Sequence, residues 1–239
     1  VRAIEEGRTV YNNIRKFLRY IFDSNTPESA APTLYLLSGG RIPLPLTVLQ
    51  ILVIDIGTDM VSALGLGAEA AEASVMQKPP RSSKERLLNR NVILVGFLWY
   101  GLLATIFAVG GYFLANFLNG WPNVALAAVE TRSYAEATTM MLAGVVFAQM
   151  GMVMNNRTDY ESVFKRGLFT NRYINAGLVI EVLILLAIIY IPFLNGIFNT
   201  APISWVEWLY LICIPFIVFG VEEIRKKIMR KKRSKRSDI

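Results

Sequence analysis

The sequence predicts an all-α membrane protein, a bundle of six transmembrane helices with a cytoplasmic stalk helix at the N-terminus. The 239 residues are 54% hydrophobic, and the mean hydropathy is +0.41, which is too apolar for an ordinary soluble domain. Apolar runs recur that each approach the ~20 residues needed to cross a bilayer. The charged residues are clustered between these runs rather than spread along them.

The chain divides into three predicted parts. Residues 1–16 form the end of the stalk helix, because apolar residues recur there near helical spacing, and this helix is expected to run straight into the first span. Residues 17–224 form the transmembrane domain, and residues 225–239 form a basic cytoplasmic tail. We place the six spans at about 17–38, 44–66, 92–118, 134–154, 173–194 and 205–224, with a turn at 195–204.

The distribution of Lys and Arg predicts the orientation in the membrane. The N-terminal segment carries 5 of them, the loop after the second span 5, the loop after the fourth span 4 and the tail 9, which is 23 of the 25. Only Arg41 and Arg132 fall on the opposite side, so the positive-inside rule places both termini in the cytoplasm. The basic tail is therefore explained by topology and by contact with anionic lipid, and no nucleic-acid partner is expected.

The residue inventory excludes several kinds of chemistry. The chain has no histidine and a single cysteine, Cys213, so histidine catalysis, disulfides within the chain and thiolate metal sites are excluded. It also has no glycine-rich phosphate loop and no arrangement of a nucleophile beside a base. We therefore expect no catalytic residues in this chain.

The second predicted span contains acids in its middle. One charge at the centre of a bilayer costs at least ~2.5–3.5 kcal/mol, so such acids usually face a partner or a wet cavity. Asp55 and Asp59 are four residues apart, which on an α-helix places them on one face, with Gly57 and Thr58 between them. Two like charges there repel each other unless a cation or a proton lies between them. The alternative is a buried polar network in a soluble core.

The first predicted span also contains oxygen ligands. Pro27 has no amide hydrogen, so we expect a helix break that leaves the carbonyl of Asp23 free, with Asn25 and Glu28 on one face. Two adjacent broken spans with carboxylate, amide and hydroxyl oxygens form a common transporter design, and such oxygens suit sodium, potassium, calcium, magnesium or protons. The alternative is a proline kink whose polar groups are satisfied internally.

Several motifs, in order along the chain, resemble the C-terminal membrane region of type II P-type cation-transporting ATPases. The motifs are Gly7 to Phe17, Ser24-Asn25-Thr26-Pro27-Glu28, Ile42 to Leu46, Asp55-Ile56-Gly57-Thr58-Asp59-Met60, and Met76 with Pro79-Pro80-Arg81. The resemblance implies that the six spans are the family's fifth to tenth. It also implies that ATP and magnesium bind only to upstream domains that this sequence lacks, and a start at Val1 inside a stalk-like helix indicates a fragment. Expected partners are lipid, the upstream helices and ATPase domains, and a small accessory subunit.

The same resemblance implies a cation-binding set. Asn25 and Glu28 match ligands of the family's fifth helix, Thr58 and Asp59 match ligands of its unwound sixth helix, and Asp55 falls where sodium/potassium pumps have aspartate. These motif forms resemble the sodium/potassium subgroup more than reticulum-type calcium pumps. The transported cation is thus expected to be sodium, potassium or calcium, with a monovalent ion slightly favoured. The resemblance also favours the plasma or cell membrane.

Secondary site candidates lie where the chain departs from the family pattern. Gln149 and Met152 occupy the fourth-span positions at which relatives have acids, so that helix contributes no carboxylate. Glu181 lies near an acidic position of sodium/potassium pumps, and Ser24 replaces the lysine of proton/potassium pumps. Asp23 replaces a serine or threonine; it either substitutes for the lost carboxylate or, as we expect, is solvated near a helix end.

Two other functions fit the same residues. An ATP-independent cation channel or ion-coupled carrier would use the same oxygens. A non-transporting membrane scaffold would not respond to any cation.

Overall fold

The computed structural model describes residues 1–72, 75–76, 87–159 and 161–237, and every regular element in them is helical. This confirms the predicted all-α fold class. The Pro79-Pro80-Arg81 motif lies outside the described residues. The helices, of which π1 and π2 are π-helical, are α1 (Arg2–Leu37), α2 (Val48–Leu52), π1 (Val53–Thr58), α3 (Asp59–Gly67), α4 (Arg90–Ile93), π2 (Leu94–Gly101), α5 (Leu102–Leu118), α6 (Arg132–Asn156), α7 (Val163–Arg166), α8 (Arg172–Tyr190), α9 (Pro192–Phe198) and α10 (Trp205–Ser237).

Within the described residues, five helical stretches are long and apolar enough to cross a membrane. They coincide, within a few residues, with the second to sixth predicted spans. The predicted first span lies inside α1, whose polar residues from Asp23 to Glu28 lower its hydropathy, and it is not one of the five, so the count of six stays a prediction. The five stretches are Val48–Gly67, Leu94–Leu118, Arg132–Asn156, Arg172–Tyr190 and Trp205–Lys231.

Helix α6 is the centre of the bundle. Its most apolar window is 94% buried, whereas the same windows of the other four stretches are 28–39% buried. The sequence of α6 explains this burial. Small and apolar residues occur on every face of the helix, and a helix that is apolar on all faces is typically buried. It packs against α1, α3, α5, α8 and α10.

The expectation of a helix break at Pro27 is wrong. Helix α1 continues without interruption from Arg2 to Leu37, with Pro27 and Pro32 inside it. Transmembrane helices tolerate proline when neighbouring helices enclose the disturbed turn. Asp23, Ser24 and Glu28 are all buried around Pro27, which shows that this turn is enclosed by its neighbours.

The second span is also continuous rather than unwound. Between α2 and α3 the chain adopts the π-helix π1, from Val53 to Thr58. A π turn closes with i→i+5 hydrogen bonds and is wider than an α turn, so residues four apart no longer superpose. Asp59 is buried and Asp55 is half-buried, so the two acids predicted to share a face are enclosed to different degrees.

The C-terminal third differs from the prediction at two places. A turn was expected at 195–204, but only residues 199–204 are non-helical. The preceding residues belong to α9, a short helix that begins at Pro192, where proline is well suited to the first helical position. Helix α10 does not end at residue 224 but continues to Ser237, so the basic tail is helical through that residue.

Candidate cation-binding site

Of the two candidates on α1, the fold buries Glu28 and leaves Asn25 outside. Glu28 is 5% exposed, and its Oε1 has no hydrogen-bond partner among the residues that the structure describes. The Asn25 side chain is exposed, and its Nδ2 donates to the carbonyl oxygen of Ile21 at 2.8 Å. Glu28 therefore faces the bundle, whereas Asn25 is turned back onto its own helix.

Asp59 is the most enclosed acid of the second span. It is 6% exposed, its Oδ1 lacks a donor within the described part of the chain, and Tyr20 and Ser24 of α1 lie beside its carboxylate. Thr58 is 1% exposed and uses its hydroxyl inside its own helix, where Oγ1 donates to the carbonyl oxygen of Ile54 at 3.0 Å. The carboxylate of Asp59 is thus available to a ligand, while the hydroxyl hydrogen of Thr58 is already bonded.

Glu181 of α8 joins the site from the other side of α3. Helices α3 and α8 approach closely because Gly177 has no side chain; a Cβ there would lie 2.9 Å from the backbone nitrogen of Ser62. The Ser62 hydroxyl donates to Oε1 of Glu181, and Oε2 has no partner within the described residues. Glu181, which is 1% exposed, is therefore a buried acid with one satisfied oxygen and one free oxygen.

The expectation that Asp23 is solvated near a helix end is wrong. Asp23 is fully buried in the interior of α1, and its Oδ2 accepts a hydrogen bond from Nδ2 of Asn156 at 2.7 Å. Asn156 is the last residue of α6, the helix that packs against α1. Because α6 is the central helix, it covers the position that appeared terminal in the sequence.

The two candidate positions on α6, Gln149 and Met152, are enclosed in the bundle. Gln149 is 1% exposed and Met152 is fully buried. Nε2 of Gln149 is buried without an acceptor in the described part of the structure. Both positions on α6 are thus buried and carry no charge.

Asp59 is the member that all the other acids share. Its carboxylate lies within electrostatic range of four others, on three different helices. No three acidic side chains among the described residues lie close enough to hold one metal ion directly. The donor chemistry suits a hard cation, although the oxygens do not converge on a single point. The four are Asp23, Glu28, Asp55 and Glu181.

A buried ion-pair network closes the charged end of the bundle. The Arg157 guanidinium, fully buried, donates to both oxygens of Glu69 at 2.9 and 3.2 Å, and Arg166 and Asn171 donate to the same carboxylate at 2.8 Å each. Burial alone would raise the pKa of Glu69, but these hydrogen bonds hold it below its ordinary value. On α1, Asn13 donates to the carbonyl oxygen of Gly67 at 3.1 Å and so ties the end of α3 to the stalk.

Three residues of the site are missing from the sequence prediction: Tyr20, Ser62 and Asn156. Tyr20 could have been found, because it lies four residues before Ser24 and eight before Glu28 on the same α-helical face. Ser62 and Asn156 carry no such signal. Their roles depend on contacts with residues 119 and 133 positions away.

Comparison with known proteins shows which family the chain belongs to. A family model described as "Cation transporting ATPase, C-terminus" matches residues 43–228. The chain is 30% identical over 259 aligned residues to sodium/potassium-transporting ATPase subunit alpha-2 of Gallus gallus, and to that of Homo sapiens, with 97% of this chain covered in each case. It is 31% identical to subunit alpha-3 of Rattus norvegicus, also over 97% of this chain.

The chain spans about a quarter of the length of these relatives, since each alignment covers 25% of the longer protein. The matched part is the C-terminal part, as the description of the family model states. The five membrane-length helices of the described residues correspond to the second to sixth predicted spans, which lie within this matched region. The chain therefore belongs to the P-type cation-transporting ATPase family and represents the C-terminal membrane region of its members.

Proposed function

We propose that this chain is the cation-binding membrane part of an ATP-driven pump for sodium, potassium or calcium. The observation that carries the proposal is the position of Asp59, a buried acid within electrostatic range of four further carboxyl groups. Carboxylates that share a site repel one another, and a bound cation offsets that repulsion. Because charged groups inside a membrane are costly, five acids in this part of the bundle are more consistent with a cation path than with support of the fold.

The proposed ligands are Asn25, Glu28, Asp55, Thr58 and Asp59, with Asp23, Ser24, Gln149 and Glu181 as secondary members. Asn25 is exposed and Asp55 half-buried in this chain alone. The adjoining face of the second span is also open, with Leu52, Ile56 and Met60 46–64% exposed. We infer that upstream membrane helices of a longer polypeptide, like the four-times-longer relatives, cover this face and turn Asn25 and Asp55 toward the ion.

The remaining assignments follow from the same proposal. Residues 1–16 would be the end of a stalk that connects the membrane domain 17–224 to upstream ATPase domains, where ATP and magnesium would bind. Both termini, including the tail 225–239, would be cytoplasmic because Lys and Arg are concentrated on that side. The plasma membrane is the proposed location, and a small accessory subunit a proposed partner. The sodium/potassium relatives favour a monovalent ion.

The test is Asp59→Asn in the complete protein that contains this chain. We expect the concentration of NaCl, KCl or CaCl₂ that half-saturates ATP hydrolysis to rise by about tenfold or more, because one buried carboxylate is removed from the ion. The control is Glu207→Gln, which changes a fully buried acid in the first turn of α10, outside the site. Unchanged cation activation of the Asp59 variant would refute the site.

A further inference from the structure

Two acids meet at the outer end of the bundle, by which we mean the end opposite the stalk. Glu136 lies in the second turn of α6 and Glu207 in the first turn of α10. The other ends of both helices are on the stalk side. There, Lys226 donates to the carbonyl oxygen of Asn155 at 2.7 Å, and Arg19 of α1 donates to that of the next residue at 3.3 Å. The two acids are therefore remote from the stalk.

Ser204 holds one oxygen of the Glu207 carboxyl group. Its backbone N–H and its hydroxyl both donate to Oε2 of Glu207, at 2.6 and 2.7 Å, in the manner of a capping box at the start of α10. Oε1 is buried and has no donor among the described residues, and the whole side chain is inaccessible. A glutamine could accept the same two bonds. Capping of α10 therefore does not explain a buried acid whose second oxygen is left without a donor.

Glu136 is the acid that faces Glu207. Its carboxyl group lies within hydrogen-bonding reach of the Glu207 carboxyl group. Nδ2 of Asn119, just after the end of α5, donates to Oε2 of Glu136 at 3.2 Å. Glu136 is half-buried and Asn119 is exposed, so water has access to the pair from the outer end. An ionised carboxylate has no hydrogen to donate, so a direct contact between two carboxyl groups requires a proton on one of them.

The neighbouring elements supply no charge that could take the place of this proton. Within the described residues, no Lys or Arg is ion-paired with Glu136 or Glu207. The charged residues on the adjoining segments, Arg41, Glu130 and Arg132, are exposed. Tyrosines of α5, α6 and α10 donate to backbone carbonyl oxygens, and the hydroxyl of a tyrosine in α8 accepts from Trp208: they are Tyr112, Tyr134, Tyr210 and Tyr190.

From these contacts we propose that Glu136 and Glu207 form a proton-binding site that joins the outer ends of α6 and α10. One proton lies between the two carboxyl groups; once it is released to water, the two carboxylates repel each other and the helices are held together less firmly. Glutamates of an unfolded chain are ionised above about pH 4.3, so the bound proton stabilises the folded state, and this contribution is lost as the pH rises. In the orientation proposed above, the site faces the non-cytoplasmic side. It is separate from the acids around Asp59 and does not depend on which cation is transported.

The experiment measures the unfolding temperature of the complete protein that contains this chain, from about pH 5 to about pH 9, for the unchanged protein, Glu136→Gln and Glu207→Gln. In each variant the amide donates to the remaining carboxylate in place of the proton, so the contact and the fold should be retained. For the same reason Glu207→Gln is a valid control for cation activation. The matched control here is Glu130→Gln, which changes an exposed acid in the segment before α6. Infrared spectra of the same samples report the C=O band of protonated carboxyl groups.

We expect the fall in unfolding temperature over this pH range to be smaller by about 3 °C or more in each of the two site variants, and unchanged in Glu130→Gln. The protonated-carboxyl band that disappears at alkaline pH should be weaker in both site variants. The same pH dependence and the same band in all four proteins would overturn the proposal. A rise in unfolding temperature with CaCl₂ or MgCl₂ at constant pH that both site variants lose would overturn it in favour of a divalent-cation site. If one site variant fails to fold, the other decides the result. Neither measurement involves the transported ion, so failure of the cation site around Asp59 would leave this test unaffected.

Discussion

Replacing Arg157 by methionine should destabilise the fold more than any change on the surface of the same region. The guanidinium donates to five acceptors: both Glu69 oxygens, the carbonyl oxygens of Gly167 and Leu168 at 3.0 and 2.6 Å, and Oγ1 of Thr170 at 2.6 Å. It is fully buried, and Glu69 is 4% exposed. Methionine fills a similar volume, so the effect measured is the loss of charge and hydrogen bonds.

The expected magnitude follows from what is left unpaired. Removing one partner of a buried ion pair costs about 3–5 kcal/mol, because the remaining charge is still out of water. Here Arg166 and Asn171 still donate to Glu69, so we expect the low end, about 3 kcal/mol. The pKa of Glu69 should also rise toward its ordinary range in the variant. Because Glu69 has a lowered pKa in the folded state, its contribution to stability is present above about pH 4.3 and is lost as the pH falls through that lowered value. In the variant this loss should begin at higher pH.

The assay is denaturant unfolding in detergent, followed by tryptophan fluorescence, at several pH values. The matched control is Arg172→Met, which removes an exposed arginine stacked 5.0 Å from the ring centre of Tyr173 and should cost less than about 1 kcal/mol. Equal losses for Arg157→Met and Arg172→Met would refute the reasoning that the network around Glu69 is a structural clamp.

The remaining predictions concern packing and pH. Gly144→Ala should cost about 1–3 kcal/mol of unfolding free energy, because the new Cβ would lie 2.8 Å from the Cα of Ala108 in the backbone of α5. The control is Gly220→Ala, whose Cβ would meet nothing within 4 Å. Equal stability of the two variants would contradict the prediction. The Asp159 side chain is 26% exposed, and its partial burial raises its pKa, but the nearby Arg19, Lys16 and Arg15 outweigh this and lower the pKa to about 2. Its contribution to stability should therefore be present above about pH 3.9 and be lost as the pH falls toward 2. The measurement is an unfolding series from pH 5 to pH 2. If Asp159→Asn lost stability with pH as steeply as the unchanged protein, the prediction would be wrong.

Much of the architecture could be predicted from the sequence, because the signals are local. Apolar runs of membrane length produce helices within a few residues of the predicted spans, since no other structure satisfies the backbone in hydrocarbon. Glu28 and Asp59 could be identified as buried acids for the same reason, as polar residues inside apolar helices must face inward. These inferences need only the composition and the helical period.

Tertiary structure alone decided the surroundings of those acids. Pro27 does not interrupt α1 because neighbouring helices enclose it, and the chain from Val53 to Thr58 is π-helical rather than unwound. The burial of Asp23 depends on Asn156, which is 133 residues away in the chain. A local sequence pattern indicates which residues are unfavourable in lipid or in water, but it does not indicate which helix packs beside them. Here that neighbour is the central helix α6, and its position determines which acids are enclosed and which remain open.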